Sequence, residues 1–263
     1  DSGTMMLSVC AERLGDPPTL TLGYGLGDDL VGRSDHPTFA ANLDKQTYCI
    51  CLTQILTKNM ISTVNFETIT DEGFLNNPYR SVRYRDDSSS VGYSFEPELY
   101  PNTRISNALG IRARYFLPYR AALHAEFRTF QDSWGINANN FEIGYTHPFA
   151  NDWIAEVHYR AYSQTKADFY NDLFPFSQAQ NFLGRDKELS TFTDNTIGFG
   201  ISYEFAKSEG GSIDKASINF KFDHIEFNYE DFRDARQTSF AAGTEPLYQF
   251  NANVMQLFLS IWF

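Results

Sequence analysis

The segment "NVMQLFLSIWF", residues 253–263, puts Met255, Leu257, Leu259, Ile261 and Phe263 on one parity and Gln256 and Ser260 on the other. A period of two belongs to a β-strand and cannot serve a helix, whose faces repeat every 3.6 residues. The same alternation recurs in segments of about ten residues divided by turn chemistry. It predicts strands over Thr19–Gly25, Gln46–Leu56, Met60–Thr68, Ile105–Leu117, Arg120–Phe130, Asn140–His147, Trp153–Ser163, Thr196–Phe205, Lys215–Phe222 and Ala252–Phe263, with a weaker one at Met5–Glu12. The chain reads as all-β.

The two faces of these strands carry the wrong chemistry for a water-soluble core. In the strand from Ile105, Leu109, Ile111, Ala113 and Tyr115 oppose Ser106, Gly110, Arg112 and Arg114. The next sets Leu123, Ala125 and Phe127 against His124, Glu126 and Arg128; the strand from Trp153 sets Ala155, Val157 and Tyr159 against Glu156, His158, Arg160 and Tyr162. Charges of both signs occupy the face that a soluble sheet would bury. Apolar outward and polar inward is the pattern of a barrel in lipid. It also accounts for a chain that is 16% aromatic, with 24 Phe and 15 Tyr, yet negative in mean hydropathy.

The connections alternate between short and long. "TKN", "PYR", "PFAND" and "KSEGGS" are tight turns, whereas Leu26–Lys45, Ile69–Arg104, Gln164–Leu189 and Asn228–Asn251 are long, with "DSWG" the short exception. Together these features predict an antiparallel transmembrane β-barrel of about 12–16 strands when complete, with short periplasmic turns and long extracellular loops, in the outer membrane of a Gram-negative bacterium. Residues 1–263 are expected to form one domain. Eleven strands is an odd count where such barrels have even ones, so either at least one N-terminal strand is missing or the Met5–Glu12 segment does not span. No run approaches the roughly 18 apolar residues of a membrane helix, and the first residues lack the order of a signal peptide.

A net charge of −12 argues against nucleic acid, whose phosphates require clustered Lys and Arg. The expected partners are the lipid bilayer and lipopolysaccharide. The terminal Trp262 and Phe263, behind alternating apolar residues, resemble the C-terminal signal read by the bacterial barrel-insertion machinery and place an aromatic pair at the membrane interface.

The inward set Arg112, Arg114, His124, Glu126, Arg128, Glu142, Glu156, His158 and Arg160 lies on four consecutive strands. It reads either as a charged constriction selecting solutes or, preferred here, as an ion-pair network that stiffens the wall. His124 with Glu126 and His158 with Glu156 raise a hydrolase alternative, but no serine in a nucleophile motif accompanies them and their mid-strand position suits no lipid-directed enzyme. No enzyme, cofactor or metal is assigned. Cys10, Cys49 and Cys51 fall on inward parities with Met6 and could hold a soft metal, although small weakly polar filler is the simpler role. Cys49 and Cys51 are too close along one strand for an unstrained bridge. The stretch "NNPYRSVRYRDDSSSVGYSFEPELYPNTR" is long for a structureless connection and reads either as a segment that folds inward or meets a partner, or as an ordinary solvated surface loop.

The blocks "LTQILTKNM", "DEGFLNNPYRSVRY", "YFLPYRAAL", "QDSWGINANNFEIGYTHPF", "QTKADFYNDLFPF", "RDKELSTFTDNTIGFGISYEF" and "FDHIEFNYEDFRD" resemble an uncharacterised family of proteobacterial outer-membrane barrels, from about Leu22 to Phe263. The resemblance implies further strands before Leu20 and residues other than cysteine at 49 and 51. Genes for a small lipoprotein, a thioredoxin-like protein and a flavin transferase often lie near those of the family. The function expected is therefore a pore, conduit or sheath for a periplasmic or surface partner, such as a redox protein or lipoprotein, in an extracytoplasmic redox or secretion system. An outer-membrane hydrolase and a purely anchoring barrel are the alternatives.

Overall fold

The computed structural model describes residues 2–11, 18–36, 38–205 and 215–262. Eleven strands form one antiparallel sheet in which each pairs with its predecessor in the wall: β1 (Ser2–Ala11), β2 (Thr19–Gly32), β3 (Ala40–Thr57), β4 (Met60–Gly73), β7 (Thr103–Phe116), β8 (Ala122–Asp132), β9 (Asn137–Phe149), β10 (Trp153–Gln164), β11 (Phe192–Phe205), β12 (Lys215–Arg233) and β13 (Leu247–Trp262). β5 (Ser81–Arg85) and β6 (Tyr93–Pro97) make a separate hairpin. Of the Met5–Glu12 segment, Met5–Ala11 is strand, since β1 pairs with β2 along its whole length, and Glu12 lies outside the described residues. Among the described residues no pairing joins β1 to β13.

The register fixes which side chains face which way. On the outer face, Leu109, Ile111, Phe127, Phe141, Ile143, Val157, Ile197 and Phe199 continue from strand to strand as exposed apolar groups, and Leu257 on β13 is 70% exposed. An apolar band that runs around a sheet is a surface made for hydrocarbon. The predicted spanning segments are all present.

Two connections are shorter than the sequence predicted. β2 and β3 run on to Gly32 and back to Ala40, and β12 and β13 reach Arg233 and Leu247, so Leu26–Lys45 is largely strand and Asn228–Asn251 is strand at both ends. Polarity on the outward parity is the reason: in β2 and β3 Asp28, Asp29, Asn42 and Asp44 put polar groups on both faces, and in β12 the alternation inverts, with Glu226, Asn228 and Glu230 on the parity of outward Phe222 and with Phe227 and Tyr229 inward. The stretch Ile69–Arg104 holds the β5–β6 hairpin. The predicted "TKN", "PYR" and "PFAND" turns join β3 to β4, β7 to β8 and β9 to β10, while "KSEGGS" lies outside the described residues.

Most of the buried apolar side chains sit in the long connections, not in the wall. Tyr100, Trp134, Ile136, Ala167, Phe169, Tyr170 and Leu189 form one cluster, and Val82, Phe174 and Leu183 a second. Isolated bridges Tyr84–Phe174 and Leu99–Leu183 lace the β4–β7 stretch to the β10–β11 connection, and Tyr170–Gly184 folds that connection on itself. The long-loop end is therefore a folded cap with its own core.

Leu257→Arg on the outer face should lower the unfolding free energy in lipid vesicles by about 2–4 kcal/mol. Gln256→Arg, one residue away and inward, should change it by less than about 1 kcal/mol. Denaturant titrations of the two variants check the facing, and equal losses would contradict it.

Candidate functional site

Cross-strand pairing arranges the lumen in rungs. One rung runs Arg112, Glu126, Glu142, Arg160 and Thr196; the next toward the short turns runs Arg114, His124, Gly144, His158, Gly198 and Asp223. The nine charged residues singled out in the sequence thus line one face. Four of them pair within that set and three with partners outside it. Arg112 Nε donates to Glu126 Oε2 at 2.6 Å, and His124 meets Glu142 at 3.2 Å, as opposite or diagonal neighbours within it. Arg128, however, crosses β7 to Glu67 at 3.2 Å, Arg160 donates to Asp194 at 2.6 Å, and His158 faces Asp223 at 3.2 Å. Arg114 and Glu156 have no ion-pair partner among the described residues. Sequence parity carried the signal for Glu67, Asp194 and Asp223, which fall on inward positions of their own strands.

Glycine makes two of these pairs possible. A Cβ at Gly198 would collide with both the His158 ring and Asp223 Oδ1, and one at Gly144 would collide with the His124 ring. The missing side chains leave slots across which an imidazole lies flat to reach a carboxylate.

Toward the cap the lumen widens into a chamber of about 470 Å³ whose wall includes Glu126, Arg128, Glu142 and Arg160. Arg104 and Tyr162 also face it, and Glu188 of the β10–β11 connection hangs into it. That connection turns inward: Gln164 Nε2, on an inward position, donates to Glu188 O at 2.9 Å and Ser190 O at 2.8 Å, and Lys187 Nζ lies 5.3 Å from the ring centroid of inward-facing Phe250. The segment 187–190 consequently reaches inward over the part of the mouth between β10 and β13. Half of the expected loop behaviour falls elsewhere than on the β4–β7 stretch: the β10–β11 connection folds inward, and the β5–β6 hairpin packs over it.

A buried ion cluster fastens the cap, and sequence reasoning missed it. Arg83 of β5 is 0% exposed. Its Nη2 donates to Asp172 Oδ2 at 2.5 Å, its Nη1 pairs with Glu245 Oε1, and its Nε donates to the Asp172 carbonyl at 3.0 Å. Arg185 Nη2 donates to the other Asp172 oxygen at 3.0 Å, and Arg233 Nη1 to the Glu245 carbonyl at 2.6 Å. Three connections, otherwise unrelated along the chain, meet in this one cluster. Burial pushes Glu245 up, but the bonds from Arg83 and from the Gly243 amide outweigh it and hold the carboxyl below its ordinary value. Glu98 goes the other way: burial raises it, against the Tyr100 hydroxyl and the Arg185 amide that donate to it.

Cys49 and Cys51 are free thiols on the inward face of β3, and Cys51 shares a rung with Thr21 and Cys10. The Cys49 sulfur lies over Gly23. The Cys10 side chain and Phe263 lie outside the described residues. Among the described residues no three His, Cys, Asp or Glu side chains cluster as metal ligands. Trp262 ends β13 on the parity of Gln256 and Ser260, with Lys215 Nζ 5.1 Å from its ring centroid.

A sequentially paired antiparallel sheet with an apolar outer band and a charged interior defines the outer-membrane β-barrel class. The family model described as a protein of unknown function, DUF3570, matches residues 32–230, and the chain belongs to that family. Among solved structures it is similar to the outer-membrane expressed OmpT of Vibrio cholerae, with 9% identity over 98% of this chain and 64% of that one and a TM-score of 0.51. The in-vitro folded OmpT gives 6% identity, 99% and 95% coverage and a TM-score of 0.44. BauA, the ferric preacinetobactin receptor from Acinetobacter baumannii, gives 13%, 98% and 44%, and 0.48. The chain thus spans 64% of the first of these, and at such identities the likeness is one of fold alone. No curated protein sequence matches the chain.

Two outcomes follow for the charged clusters. Gly198→Val should break the His158–Asp223 pair and destabilise the folded barrel by about 1–3 kcal/mol, read as a lower denaturant midpoint. For the cap, a depressed Glu245 contributes stability that is complete above the unfolded carboxylate pKa and lost as pH falls through the folded value, whereas the raised Glu98 loses its contribution as pH rises. Protection of the Arg85 and Phe174 amides, corrected for intrinsic exchange, should drop below about pH 5. Glu245→Gln should show low protection already at neutral pH and little further change.

Proposed function

We propose that the chain forms a hydrated conduit in the outer membrane of a Gram-negative bacterium, open toward the periplasmic short-turn side and covered on the outer side by its folded cap. The observation that carries this reading is the inward course of residues 187–190 over the lumen mouth between β10 and β13, with Gln164 and Phe250 as its two supports. Below that cover the interior is wet: Arg112 is 55% exposed and Arg114 is exposed. A covered mouth over a solvated, charged lumen suits a sheath or conduit that receives a small solute or a periplasmic partner, and suits a freely open porin less well. The redox or secretion setting rests on family resemblance alone.

The hydrolase alternative gains nothing from the geometry, since His124 and His158 each face a carboxylate and no serine hydroxyl bonds to either among the described residues. Arg112 and Arg114 play different parts. Arg112 is a strut on Glu126, although an exposed pair of this kind contributes only about 0–1 kcal/mol. Arg114 is an unneutralised cation.

Planar-bilayer recordings test the reading. Wild-type protein should conduct little, and Arg83→Met, which leaves Asp172 and Glu245 buried without their cation, should open the cap and raise conductance several-fold. In that open background Arg114→Gln should shift selectivity toward cations while the denaturant midpoint stays put. A large ohmic conductance in wild type, unchanged by Arg83→Met, would sink the capped-conduit reading.

A further inference from the structure

At the edge of the cap, β6, the 185–187 segment and the ends of β12 and β13 enclose a cleft of about 360 Å³ with a composition foreign to this protein. The chain as a whole carries −12, yet the cleft wall holds four cations, Arg185, Lys187, Arg233 and Arg236, against one carboxylate, Asp234. The neighbouring acids are already engaged or turned away. Asp172 and Glu245 bond Arg83, Asp186 pairs with Arg80 at 3.3 Å, and Glu188 faces the lumen chamber. Lys187 and Arg233 have no carboxylate within ion-pair distance among the described residues. The cleft is therefore a local positive field in an acidic protein.

Its other wall is aromatic. Tyr93, Phe95, Phe232 and Tyr248 line it, and Phe95 is 59% exposed. The cations are held at ring faces: the Arg185 guanidinium lies 4.8 Å from the Phe232 centroid and that of Arg236 5.3 Å from Tyr248. Arg236 gives Nε and Nη2 to Asp234 at 2.7 and 3.0 Å, and Arg185 gives Nε and Nη2 to Asp172, so each offers a ring-backed plane and its remaining N–H groups, while the uncompensated charge of the cleft is that of Lys187 and Arg233. The guanidinium groups are also fixed in place before any ligand arrives, because Arg185 Nη2 donates to the Arg233 carbonyl at 3.2 Å and Arg233 to that of Glu245. Preset donors lose little freedom on binding.

We infer that this cleft binds a small anionic solute bearing a planar ring, a phosphate or carboxylate joined to an aromatic group, with the ring against Phe95 and the anion between Lys187 and Arg236. The inference does not rest on the conduit reading, because it needs only the walls of the cleft, although Lys187 and Tyr248 also stand beside Phe250 at the lumen mouth. A neutral sugar would leave the cations unused, and a bare inorganic anion would leave the exposed phenyl ring unused.

Isothermal titration of the full chain in detergent micelles tests it, with adenosine 5′-monophosphate and 4-nitrobenzoate as probes and adenosine and inorganic phosphate as comparisons. At least one of the two aromatic anions should bind saturably, tenfold or more tighter than either comparison compound. The single variants Arg236→Gln and Phe95→Ala, which leave the Lys187 support on Phe250 in place, should each weaken that probe about tenfold while keeping the heat-resistant folded band and the wild-type bilayer conductance. Three results would overturn the inference: neither probe binding, inorganic phosphate matching the probes, or well-folded variants binding as wild type does. Because conductance is read on the same samples, loss of binding with unchanged conductance separates this cleft from the conduit.

Discussion

Hydrocarbon accepts no hydrogen bonds, so every backbone N–H and C=O that enters it must find a partner within the protein. A sheet meets that demand by pairing each strand with the next, and here the order from β1 to β13 is sequential through the whole wall. Much else follows from it. Alternate side chains point to lipid and cannot form a core, which is why Leu109, Ile111, Phe127 and Val157 are exposed, while Val82, Phe174 and Trp134 are buried in connections. The apolar packing that ordinarily sits inside a sheet has been moved to its outer band and to its cap.

The interior is then obliged to be polar, and the protein satisfies it with ion pairs of two very different kinds. In the lumen, Arg112–Glu126 and Arg128–Glu67 are partly solvated, and each such pair contributes only about 0–1 kcal/mol. Their role is spatial: they fix where long side chains lie and how wide the passage is. The Arg83 cluster stands apart. It is fully buried, and removing one member of such a cluster costs about 3–5 kcal/mol because its partners are left charged in a dry place. The cap is held by a latch whose loss is expensive, above a wall whose individual charges are replaceable.

That contrast gives the functional reading its physical content. A lumen of exchangeable pairs tolerates a passing solute or an inserted segment, while a cohesive cap resists opening unless its buried carboxylates change state. The basic, aromatic cleft beside the cap depends on the same latch: Arg83 occupies Asp172 and Glu245, and thereby leaves Arg233 and Lys187 uncompensated.

The sequence by itself determined the class of fold, the position of the spanning strands and the facing of Arg112, Glu126, His158 and Arg160, because a lipid exterior and a wet interior imprint a period of two that needs no tertiary knowledge to read. Where the strands leave hydrocarbon the imprint fades, as in Gly27–Gly32, or inverts, as in Glu226–Glu230 where the polar groups turn outward, and the strand ends lie beyond those that a lipid-facing pattern predicts. Pairing within the lumen was only partly legible, since Arg128 reaches past an adjacent strand and His158 depends on the slot at Gly198. The cap was not legible at all. Arg83, Asp172 and Glu245 lie 89 and 162 positions apart in segments without periodicity, and only the closing of three connections over one end of the wall brings a guanidinium and two carboxylates into the same dry space.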